Sequence, residues 1–125
     1  AWHSVPGYSA IGSYKGNGSD DGPFIYTGFR PAFVMVKGST LSSGWMMYTT
    51  ETMPNPNNNY LVASASNAEN TPGNGYNNID ILSNGFKVRD TLDYTHTNQA
   101  GETYIYFCFA ENPFGGSNVA PANAR

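Results

Sequence analysis

Fourteen glycines and eight prolines punctuate the 125 residues of this chain, and that punctuation limits the fold more than any other feature. Between the breaks lie short runs rich in Tyr, Phe, Val and Ile, the residues that fit a pleated, half-buried strand. No segment sustains the apolar spacing of a helix, and no internal repeat of useful length is visible. The runs read as strands over residues 8–15, 24–29, 32–37, 45–50, 60–64, 78–82, 86–89 and 102–110. The expected fold is all-β: an antiparallel β-sandwich, jelly-roll-like, of about eight strands. The chain is long enough for one hydrophobic core. Residues 1–114 are expected to form the sandwich and residues 115–125, small and Pro-containing, an extended tail.

Three runs carry most of the patterning. Phe24–Phe29 and Ala32–Lys37 meet at a corner of Gly28, Phe29, Arg30 and Pro31. The second is apolar on both faces, Phe33 and Met35 against Val34 and Val36, as in a strand inside a packed sheet. Asn84-Gly85 between β-like runs is a strong hairpin signal. In Glu102–Ala110 the side chains Thr103, Ile105, Phe107 and Phe109 share one face and suit a core. Tyr104, Tyr106, Cys108 and Ala110 share the other, a tyrosine-bearing face suited to another sheet, a partner subunit or solvent.

Charged residues make up 12 %, about half the globular average, and the net charge is −3. Six scattered basic residues supply no footprint for a phosphate backbone, so no nucleic-acid partner is expected. No run approaches the roughly 20 apolar residues of a membrane-spanning helix, so no membrane insertion is expected. No signal peptide is visible. The chain does not begin with Met, as expected of a processed product or a piece of a longer polypeptide. The single Cys108 sits in an apolar run and reads as a small buried hydrophobe.

No residue pattern points to catalysis. His3 and His96 are far apart and lack partners at metal-ligand spacing, so no metal or other cofactor is expected. Asp80, between Ile79 and Ile81, reads as the solvent face of a hairpin rather than half of a glycosidase pair with Glu102. The loop Asn17–Gly22 has clustered oxygen atoms but no complete calcium-loop pattern, and reads as a turn. The Asn17-Gly18-Ser19 glycosylation pattern is near chance in so Asn-rich a chain. A different combination points to binding: aromatic rings beside amides, which suit the C–H face and hydroxyls of a sugar. The candidate ligand-binding residues are Trp45, Tyr48, Asn57, Asn58, Asn59, Tyr60, Asn74 and Tyr76.

Several segments in order carry a resemblance: Ile11–Gly18, Asp21–Val34, Asp80–Arg89, Thr103–Tyr106, Phe109–Phe114 and the closing Asn123-Ala124-Arg125. Together they resemble an uncharacterised C-terminal domain family of virion-associated proteins, tail-fibre-like ones among them, from tailed and especially marine bacteriophages. The resemblance implies a structural protein on the surface of an extracellular virion, in contact with other virion proteins and without catalytic residues. It further implies the distal domain of a tail fibre or spike that attaches to the host surface, as a homotrimer, with a host glycan as a possible ligand. The alternatives are a capsid decoration or head-fibre domain, or a free-standing glycan-binding module. Residues 46–77 match least, and there, on loops held by the scaffold, specificity is expected.

Overall fold

A computed structural model describes residues 2–52, 55–69, 79–90 and 96–113. Among them are eight strands: β1 (Ser9–Lys15), β2 (Phe24–Tyr26), β3 (Pro31–Gly38), β4 (Met46–Thr49), β5 (Leu61–Val62), β6 (Ile79–Leu82), β7 (Gly85–Val88) and β8 (Thr103–Ala110). All pairings are antiparallel, in a five-stranded sheet ordered β1-β8-β3-β4-β5 and a three-stranded sheet ordered β2-β7-β6. The fold is the expected all-β sandwich.

The core lies where the inner faces meet. Val34 and Val36 of β3, Met46 and Tyr48 of β4, and Tyr104 and Cys108 of β8 pack towards Ile25, Ile79, Ile81, Phe86 and Val88 of the smaller sheet. Each fully buried side chain of this size contributes about 1.5–3 kcal/mol through the water it sheds. Phe86 stands edge-on to Tyr106, with centroids 5.4 Å apart. Gly12 leaves room for that tyrosine, since a Cβ there would sit 2.8 Å from the Tyr106 hydroxyl.

Two expectations about faces are corrected. In β8 the side set against the core is Tyr104, Tyr106, Cys108 and Ala110, whereas Ile105 is exposed and Phe107 and Phe109 are half-buried on the outer side. Both sets are apolar enough for a core, and the placement of the second sheet decided between them. β3 is central, between β8 and β4, but only one of its apolar faces meets the other sheet. Phe33 and Met35 lie on the outer side.

The corner at Gly28 joins the two sheets, because β2 belongs to one and β3 to the other. Gly28 takes φ +82° there, a backbone state that side chains rarely permit. Arg30 holds the corner: its guanidinium donates to the Ile81 carbonyl at 3.3 Å and pairs with Glu111 at 3.0 Å. The β6–β7 hairpin turns on Ser83-Asn84, one residue earlier than the Asn-Gly signal, since Leu82 pairs with Gly85. Gly85 is required for closeness rather than for its turn, because a Cβ would lie 2.0 Å from the Ile25 carbonyl oxygen of β2.

Candidate functional site: an apolar outer sheet face

On the outer side of the five-stranded sheet, alternation places one residue of each strand in a continuous row. Ile11 pairs with Phe107, Phe107 with Met35, Met35 with Met47, and Met47 with Leu61. The row crosses all five strands without a charge. The next row holds Ser9, Phe109, Phe33 and Thr49. The row on the other side holds Ser13, Ile105 and Lys37. Lys37 turns its ammonium away to the carbonyls of Gly38 and Leu41, at 2.9 and 3.0 Å.

The N-terminal segment covers part of this face. Trp2 stacks on Phe107, centroids 5.3 Å apart, and lies against Phe109 at 5.6 Å. The cover is incomplete: Trp2 itself is 69 % exposed, and Ile11, Ile105 and Leu61 are 37, 41 and 41 % exposed. A cleft of about 290 Å³ opens between Trp2, Ile11, Trp45, Ile105 and Phe107. Its lining is apolar, so it favours shape and apolar contact over hydrogen bonding.

The ligand-binding residues expected from the sequence fare differently. Trp45, half-buried, is the one brought to this cleft. Tyr48, Tyr60 and Asn57 lie in the interior and offer no face to a sugar. Tyr48 and Tyr60 pack ring against ring with centroids 6.1 Å apart. The Asn57 backbone pairs with Ile79, and its amide donates to the Thr49 carbonyl at 2.6 Å, so it ties β4 to β6. Asn58 and Asn59 are half-buried, and Asn59 donates to Glu69 at 2.8 Å. Asn74 and Tyr76 lie outside the described residues. Asn57 is therefore used structurally, and Asn59 is held by a surface hydrogen bond. Alternation in β3 and β8 contained the signal for the outer face, since two adjacent strands apolar on both sides exceed what one opposing sheet covers.

Several other titratable groups among the described residues are engaged in the scaffold. Asp21 accepts from Lys87, which holds its carboxyl below the usual range. Asn17 bridges Ser19 and Asp21 with its carboxamide, so the loop is organised by its own turn bonds. Asp80 pairs with Arg89 at 3.4 Å, and Glu102 accepts from Thr40. The Cys108 thiol is buried, which pushes its pKa up to about 12 and leaves it a poor nucleophile. Burial lowers the pKa of His96.

Residues 1–113 match a protein family, DUF7483, described as a domain of unknown function. No curated protein and no solved structure matches the chain.

Proposed function

The chain belongs to the DUF7483 family, and on that premise we propose that it is a structural display module of a bacteriophage virion, the distal domain of a tail fibre or spike that meets the host surface. The observation that supports this is where the phage-like motifs lie in the fold. Asp21–Val34 carries the crossing from one sheet to the other, Asp80–Arg89 forms the β6–β7 hairpin, and Phe109–Pro113 ends β8 beside the corner it helps to hold. The bonds from Arg30 to Ile81 and Glu111 link all three segments. The motifs that carry the resemblance thus build the joint of the sandwich, as expected of a scaffold that presents loops rather than of a catalytic site. The module acts without chemistry of its own, as a homo-oligomer among other virion proteins. Immunogold electron microscopy with an antibody against this domain tests the proposal. Label at tail tips is expected. Label confined to heads would favour capsid decoration, and particles without label would sink the virion assignment.

A further inference from the structure

We infer that the outer face of the five-stranded sheet is a self-association surface, and that a second copy of this chain packs on it face to face about a two-fold axis. Strand spacing and rise give the face roughly 500 Å² of sheet plane. Two copies in contact would then bury about the 1,000 Å² that separates a specific interface from a chance one. The uncharged row from Ile11 through Phe107 and Met35 to Leu61, together with the exposed Trp2 stacked on Phe107, would form the centre. An apolar centre depleted of charge is the signature of homodimer contacts.

The charges around the face select the orientation. One end carries Lys15 and Lys37, countered by Glu102. The other carries Glu51, with Glu111 already paired to Arg30. A two-fold axis lying in the interface plane and running across the strands lays the basic end of one copy over the acidic end of the other. A parallel three-fold arrangement would gather the lysines of all copies at one end, where like charges repel. Growth along two of the sheet edges, β1 and β6, is hindered. The Ser4 hydroxyl accepts from Ile11 N–H at 3.0 Å on β1, and Asn55 pairs with both backbone groups of Ile81 on β6.

The test is the mass of the chain in solution, by sedimentation equilibrium up to about 100 μM, a range that detects even weak pairing. A species of twice the 13.5 kDa chain mass is expected. Ile105→Lys should weaken it at least about ten-fold while the variant keeps its circular dichroism spectrum. Leu61→Lys, at the two-residue edge strand, is the second probe should the first fail to fold. Lys15→Glu should also weaken the pair. A wild-type monomer, a trimer, a dimer untouched by both apolar-face variants, or tightening by Lys15→Glu would each overturn the inference. A wild-type monomer would also remove the homo-oligomer from the virion proposal, but none of these results bears on where the domain sits on a particle, so the failure of this inference and that of the virion location are distinguishable.

Discussion

Tyr14 donates its hydroxyl proton to the Thr97 carbonyl at 2.7 Å and stacks on Tyr104, centroids 5.2 Å apart, inside the sandwich. Burial raises its pKa well above 10.0, and the same cause acts on Tyr48. Burial also lifts the Cys108 thiol from 9.0 to about 12. All three hold their protons more tightly folded than unfolded. Their contribution to stability is therefore whole below their ordinary pKa values and is lost as pH rises, from about 9 for the thiol and about 10 for the phenols. Melting temperatures should be insensitive to these groups near neutrality and fall at alkaline pH. Tyr14→Phe should cost about 1–2 kcal/mol at pH 7, because it leaves a buried carbonyl without its donor. The same change should flatten the alkaline limb of a pH series of thermal melts. An equally steep limb in the variant would exclude Tyr14 as a contributor. The sequence marked Cys108 as buried from its apolar neighbours alone. Nothing local marked Tyr14, whose partner lies 83 residues away.

At the scale of elements, the fold protects two of its edges, β1 and β6, with side chains that imitate a strand. The Asn55 carboxamide accepts from Ile81 N–H at 2.8 Å and donates to Ile81 C=O at 2.7 Å, as a neighbouring peptide group would. Ser4 does likewise for Ile11, accepting at 3.0 Å and donating at 3.4 Å. Asn55→Ala should lower stability by about 1–2 kcal/mol. Amide exchange at Ile81 should quicken while that of Val36, in the middle of the larger sheet, keeps its protection. Unchanged exchange at Ile81 would mean that the edge is sealed by something else. Asn-rich composition announced turns and surface amides but was silent on which amides are structural. That depends on β6 lying beside this loop, a contact made across 26 residues. Alternation located β8 and the hairpin almost to the residue, since period-two patterning is a local property. The three-residue β2 and two-residue β5 came out shorter than their apolar runs, because partner strands, not propensity, end them.

For the whole molecule, the two sheets are held by one shared core in which Phe86 is the large side chain of the smaller sheet. It meets Tyr106 at 5.4 Å and Tyr14 at 6.4 Å, both edge-on. Phe86→Ala should cost about 3–5 kcal/mol by emptying that contact. Urea unfolding followed by fluorescence of Trp2 and Trp45 and by circular dichroism should shift together if both sheets unfold as one unit. Separate transitions would show that the sheets are less coupled than their shared core implies. At this scale the outer apolar face also becomes intelligible. A sandwich of five strands on three has more inner surface to offer than its smaller sheet can use, and the strands apolar on both sides belong to the larger one.

By itself the sequence determined the class of fold, the number of strands among the described residues and the central place of Ala32–Lys37, because turn residues and side-chain alternation act over a few neighbours. It also determined that β8 has two usable apolar faces. Only the tertiary structure decided which of them is core. That choice follows from the side on which a distant hairpin packs, which no local pattern encodes. The same packing drew Tyr48, Asn57 and Tyr60 inward, away from the ligand-binding role their residue types suggested, and turned Ile105 and Phe107 outward.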